Sequence, residues 1–269
     1  MKLSSVWSRG GSVPGGHFVI SDGIRRPFIT SMRELNSIPL RESDVVVDIG
    51  AYVGTCAIKC ARFPVKSVIA FEPSIFSFEI LQKNKLPNMK LVQAAVVGDN
   101  RKEVEFWLSS GIGVSNGIYK RRGGTRVIVP AIRYEDAVSG ASVVKIDIEG
   151  YEYNLPSLVR PSIRAFIIDF HRVGVDWINK AERIIADIEA AGFISIIRPK
   201  WGHGWTSCGT WVRDKQDKNG NGGFLPMLHG EMCCGCGIKI KKSGVKSLCS
   251  KCWVLWFSGH KRGYTLAVS

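Results

Sequence analysis

The chain has 269 residues, 45% of them hydrophobic and 22% charged, and a formal net charge of +14. That composition accommodates one α/β domain with its own core plus a small appendage, and it excludes a disordered chain. No apolar run approaches the ~18–20 residues of a membrane span. Residues 1–5 lead into no apolar leader segment, so a cytoplasmic protein without membrane association is expected.

Residues 1–35 hold Gly10-Gly11, Pro14-Gly15-Gly16 and Arg25-Arg26-Pro27, which read as an arm with one short strand at 17–20. It serves either as a lid or as an untidy terminus. The body begins at 36. Val45-Val46-Val47 is a β-branched run that predicts a buried parallel strand, ending in Asp48 and followed by the helix Thr55–Ala61. Gly50 and Gly54 lie in the intervening turn and let the backbone approach a ligand without a Cβ in the way. A second apolar run, 68–71, ends in Glu72-Pro73. An acid at that tip is placed to accept hydrogen bonds from both hydroxyls of a ribose. The glycine spacing is not that of a dinucleotide binder, so a pyrophosphate is not the expected ligand, and the arrangement suits S-adenosylmethionine.

Farther along, a helix is expected over 74–84 and a third strand over 90–97, running into Gly98-Asp99. Residues 94–97 would lie beside an adenine ring, with Asp99 on its exocyclic amine. Strand-like pieces at 104–108 and 126–129 flank a Gly/Ser-rich loop carrying Arg121, Arg122 and Arg126. The fourth strand, 143–148, brings up Asp147 and Glu149, two apart and therefore on one side if the strand persists. Such a pair either raises one carboxyl's pKa or holds a divalent cation. Glu149 could equally cap the following helix. The fifth strand, 164–170, delivers Asp169 and His171, again two apart; His171 is structural or catalytic. A helix over 177–191 stops at Gly192. The strands 193–197 and 206–213 leave no room for a crossover helix between them and must form an antiparallel hairpin. Its loop should hang over the active face, where Trp201 and Trp205 could stack on a flat substrate.

The segments VVVDIGAYVGTCAIKCA, IAFEPSIFSFEILQKN, VQAAVVGD, VKIDIEGYEY and AFIIDFH resemble the FkbM-type methyltransferases in sequence and order, over about residues 44–213. The resemblance implies a doubly wound α/β, class I methyltransferase (Rossmann-like) sheet with a C-terminal antiparallel hairpin. It also implies S-adenosylmethionine as cofactor and a hydroxyl as methyl acceptor, on a sugar or other small metabolite. Tyr52 departs from the asparagine usual at that place. Asp48, Gly50, Ala51, Tyr52, Gly54, Glu72, Pro73, Asp99 and Asp147 are the candidates to bind the cofactor. Asp147, Asp169 and His171 are the acid–base candidates, with a divalent cation at Asp147 and Glu149 as an addition.

The polar linker 214–228 closes the body, and residues 229–269 form a basic tail. From residue 216 onward there are eight Lys/Arg against two Asp/Glu, a bias that favours nucleic acid as partner. Cys233, Cys236, Cys249 and Cys252 make two C-x-x-C pairs, the ligand set of a closed structural zinc site in a ribbon or treble-clef module. Cys234 is a spare. A ribose-directed methyltransferase docked by this module, or a non-catalytic nucleic-acid adaptor, are the competing readings. Cys56 and Cys60, one helical turn apart, are expected as core thiols.

Overall fold

The computed structural model describes residues 3–5, 19–21, 32–35, 37–109, 116–120, 123–202 and 206–213. The four zinc-ligand candidates, the linker, Arg121, Arg122 and Trp205 lie outside these residues.

In chain order the elements are β1 (Leu3–Ser5), β2 (Val19–Ser21), α1 (Met32–Leu35), β3 (Val45–Ile49), α2 (Thr55–Ala61), β4 (Ser67–Phe71), α3 (Ile75–Lys83) and β5 (Met89–Val92). There follow β6 (Ala95–Val97), β7 (Glu103–Leu108), β8 (Thr125–Arg133), α4 (Tyr134–Ala137), β9 (Val143–Ile146) and a single 3₁₀ turn, Tyr151–Asn154. β10 (Ala165–His171), α5 (Trp177–Ala190), β11 (Ile194–Ile197) and β12 (Thr206–Val212) complete the described chain.

Seven strands form the main sheet in the order β11-β12-β10-β9-β3-β4-β5. The five from β10 to β5 are parallel. β12 pairs antiparallel with both β10 and β11, so the hairpin folds its second strand inward and leaves its first at the edge. The chain moves outward from β3 to β4 and β5, then returns to place β9 on the other side of β3. This reversal opens a crevice beyond the carboxyl ends of β3 and β9. Alternate strand residues face opposite sides, so Val46 joins a core cluster on one face with α2, whereas Val47 and Ile49 join the cluster beneath α5 on the other. Cys56 and Cys60 are buried free thiols of the first cluster. α3 begins as expected: Ser74 Oγ accepts from the Ser77 N–H. Gly192, at φ +87°, ends α5.

Two expectations are corrected. The third strand is broken. β5 stays in the main sheet, while β6 leaves it to pair with β8, in a three-stranded sheet completed by β7. Residues 94–97 are accordingly packed in protein, with Ala95 and Val97 against Val104 and Phe106. The N-terminal strand is β2, and it has an antiparallel partner, β1, that no pattern in the sequence announced. Leu35 of α1 is buried in the core cluster with Val46.

Candidate active site

β3 ends at the crevice, and a tight turn follows. Gly50 and Ala51 donate their N–H groups to Phe71 O at 3.0 and 2.9 Å, which binds the turn to the tip of β4. Gly50 has φ +79°, and a Cβ there would sit 1.8 Å from Asp147 O, so only glycine allows the turn to lie against the end of β9. Tyr52 also takes a left-handed conformation, φ +53°, which aims its N–H at Glu72 Oε2, 2.8 Å away. Glu72 Oε1 accepts from the Ser74 N–H at 2.9 Å. The carboxylate is thus held in a fixed orientation at the β4 tip, beside Pro73. Burial pushes its pKa up to about 7 despite those two donors. Burial and Glu72 together raise the Tyr52 phenol to about 12.

One strand over, β9 contributes a residue that the sequence reading passed by. Lys145 lies level with Asp48 in the β3–β9 pairing. Its ammonium is buried, 3.1 Å from Asp48 Oδ1 and 3.3 Å from Asp147 Oδ2, and it donates to Gly50 O at 2.9 Å. Burial works against that charge, but Asp147 and Asp48 outweigh it and hold Lys145 well above the ordinary lysine range. A lysine inside the otherwise apolar run Val143–Ile146, two residues before Asp147, was the available signal.

The chain after Asp147 abandons the strand. Glu149 has φ +56° and Gly150 φ +103°, so the backbone curls back. Tyr52 and Glu149 are the two non-glycine residues with positive φ among the described residues, and both lie at this crevice. The curl keeps Asp147 and Glu149 together, although the strand period that suggested it ends at Ile146. The N-cap of the 3₁₀ turn is Gly150 rather than Glu149, and the Gly150 N–H donates to Glu152 Oε2 at 2.9 Å.

β10 brings Asp169 and His171 to the same place. His171 Nε2 lies 3.5 Å from Asp147 Oδ1 and 3.6 Å from Glu149 Oε1. Nδ1 is 3.3 Å from Glu152 Oε1, which also accepts the His171 backbone N–H at 2.8 Å. Burial disfavours a charged ring, yet Glu152, Asp147 and Glu149 raise its pKa to about 10. Asp169 is buried beside Cys208, its partner in the β10–β12 register. Burial, then Asp147, pushes Asp169 up to about 6.

Residues 48–175 match the family model described as the methyltransferase FkbM domain. The FkbM match opens at Asp48 and closes just past His171, so it spans every strand end described above. The chain is also similar to several solved structures. It covers 76% of itself and 85% of M. jannaschii TYW2 in complex with AdoMet, at 15% identity and TM-score 0.39. For P. horikoshii TYW2 in complex with MeSAdo the figures are 75%, 69%, 12% and 0.42. For precorrin-6y C5,15-methyltransferase from Geobacter metallireducens GS-15 they are 68%, 87%, 14% and 0.39. No curated protein matches the chain.

Within the FkbM segment the structure brings Asp48, Gly50, Ala51, Tyr52, Glu72, Asp147, Asp169 and His171 to one crevice. Gly54, at φ +96°, closes the turn before α2, and a Cβ there would strike Leu81 Cδ1 at 2.5 Å. Asp99 is not brought in: it is exposed and ion-paired to Arg101, whose Nε donates to Asp99 Oδ1 at 2.7 Å. Outside the segment, Trp201 is no exposed platform. It packs edge-on against Phe170 and Trp177, and its Nε1 donates to Glu182 Oε1 at 2.5 Å. Among the described residues no helix is long and apolar enough to cross a membrane.

Proposed function

We propose that this chain is an S-adenosylmethionine-dependent methyltransferase acting on a hydroxyl of a sugar or other small metabolite. The observation that carries the reading is the pairing of a glycine turn after β3 with a carboxylate, Glu72, fixed by two backbone N–H groups at the tip of β4. A nucleoside fits these residues. The Tyr52 and Ser74 donors take one lone pair on each Glu72 oxygen and leave others for the two ribose hydroxyls.

S-adenosylmethionine supplies a methyl group on a sulfonium, which a nucleophile displaces in line. The chain's own residues then have distinct tasks. Lys145 ties the turn to the end of β9, holding Gly50 O and Asp147 in one geometry. Asp147 and Glu149 are part-exposed and face the acceptor, so Asp147 is positioned to receive the hydroxyl proton. Asp169 is too deeply buried to touch an acceptor and works as a positioning residue through Asp147 and Lys145. His171, its Nδ1 held by the buried Glu152, orients the site rather than serving as the base.

The test is calorimetric titration of the full chain with S-adenosylmethionine and with S-adenosylhomocysteine, followed by transfer of labelled methyl to separated small-glycan, RNA, DNA and protein fractions. We expect saturable heat that is weakened at least tenfold in Glu72→Ala, and label in the small-molecule fraction. No heat with either ligand overturns the enzyme reading. The basic tail favours a second reading, a ribose hydroxyl of nucleic acid as acceptor, and label confined to RNA or DNA would replace the first with it.

A further inference from the structure

Three ligand atoms from two strand ends converge at the mouth of the crevice. A carboxylate oxygen of Asp147, one of Glu149 and a ring nitrogen of His171 all lie within 4.8 Å of one another. His171 is 7% exposed, yet its Nε2 makes no hydrogen bond among the described residues: its nearest partners are the two carboxylate oxygens at 3.5 and 3.6 Å. That is too long for a charge-assisted N–H···O bond, about 2.7–2.9 Å. It is close to the separation of neighbouring ligands around one cation, about 3.0–3.4 Å for bonds near 2.1 Å.

The other ring nitrogen is already committed. Glu152, fully buried, faces Nδ1 and accepts two backbone N–H groups, from Gly150 and His171. A carboxylate on Nδ1–H fixes the tautomer and turns the Nε2 lone pair toward Asp147 and Glu149, the arrangement that orients a metal-bound histidine. The local charge points the same way. Asp48 and Asp147 share Lys145, Glu149 and Glu152 face His171, and Lys145 binds Asp147 through Oδ2, leaving Oδ1 toward His171.

We propose that Asp147, Glu149 and His171 bind a divalent cation of the Mg²⁺/Mn²⁺ class, with Glu152 as the residue that orients His171. Two carboxylates and one imidazole suit such an ion, and the part-exposed carboxylates leave its remaining positions open to the crevice. Binding stands on this geometry alone. Only its use, to lower the pKa of an acceptor hydroxyl bound to the ion, rests on the methyltransferase reading.

The experiment is Mn²⁺ titration of the full chain by electron paramagnetic resonance with no zinc added, because Zn²⁺ would take a His/carboxylate site ahead of Mn²⁺ whereas the soft thiolates of the tail hold Mn²⁺ poorly. We expect one saturable Mn²⁺ per chain and a spin-echo modulation from one directly bound nitrogen. Glu149→Gln should weaken binding at least tenfold and Glu152→Gln by about 10–100-fold, while Cys249→Ser leaves it unchanged. Folded protein that binds no Mn²⁺, bound Mn²⁺ without nitrogen modulation, or an affinity indifferent to Glu149→Gln would each overturn the site. The nitrogen signal needs no variant, so it decides even if a substitution impairs folding. Mn²⁺ binding without any methyl transfer would leave this site standing and reject only the enzymatic reading.

Discussion

Lys145 shows how one side chain can couple stability to the site. Its buried ammonium compensates the buried Asp48 and the part-exposed Asp147 while bonding Gly50 O. Lys145→Met would keep the volume and strand two carboxylates without their counter-charge. A loss of about 3–5 kcal/mol is expected in urea unfolding, as for a buried pair broken from one side. A loss below ~1 kcal/mol would show that the charge is not structurally required. Glu72 gives a pH prediction of defined sign. Its folded-state pKa of about 7 lies above the ordinary carboxylate value, so the folded protein binds the extra proton. Its contribution to stability is therefore fully present at low pH and fades as pH rises from about 4.5 through about 7, by roughly 3 kcal/mol across the window. Glu72→Ala should flatten that part of the stability–pH curve, measured by thermal unfolding between pH 4.5 and 8.

At the scale of elements, the turn after β3 is the tightest constraint. Gly50→Ala would combine a strained φ of +79° with a Cβ 1.8 Å from Asp147 O, so turn and β9 must move apart. A destabilisation of about 2–4 kcal/mol and loss of cofactor heat are expected together. An unchanged affinity in the folded variant would mean that the turn does not form the binding surface. This turn was legible from sequence because glycine spacing after a β-branched run reports backbone need directly. The same holds for α2, α5 and the β11–β12 hairpin, where periodicity, Gly192 and a short connection left one solution. The break between β5 and β6 was not legible. An apolar run such as Ala94–Val97 says that residues are buried, not which sheet buries them. Glu152 was missed for a related reason: an acid next to Tyr151 looks like part of an exposed helix start, and only the curl at Glu149 and Gly150 turns it beneath His171. Trp201 was misplaced because a tryptophan in a loop reads as exposed until Phe170 and Trp177 are seen on either side of it.

On the scale of the whole molecule, the two ends of the parallel strands do different work. At the carboxyl ends lie left-handed residues, raised carboxyl pKa values and the convergent ligands of the crevice. At the amino ends lies a different buried cluster. Asp44, just before β3, accepts from Arg164 Nε at 3.0 Å, just before β10, and from Ser142 Oγ at 2.7 Å, just before β9. It also takes the Arg41 N–H at 2.7 Å, so one carboxylate fastens the starts of three neighbouring strands. This cluster lies at the opposite ends of these strands from the crevice. Arg164→Ala should therefore cost about 3–5 kcal/mol of stability, because it leaves the Asp44 carboxylate buried without its counter-charge. Cofactor affinity and Mn²⁺ affinity of the folded variant should stay within twofold of the parent. Gly50→Ala and Glu149→Gln should do the reverse, affecting ligand binding more than their effect on unfolding explains. If Arg164→Ala weakened ligand binding in proportion to stability, the sheet would transmit strain from one end to the other and the crevice would not be an independent unit. If it lowers only the unfolding midpoint, the amino ends of the strands hold the sheet in register, and the carboxyl ends are free to carry strain, charge and ligands.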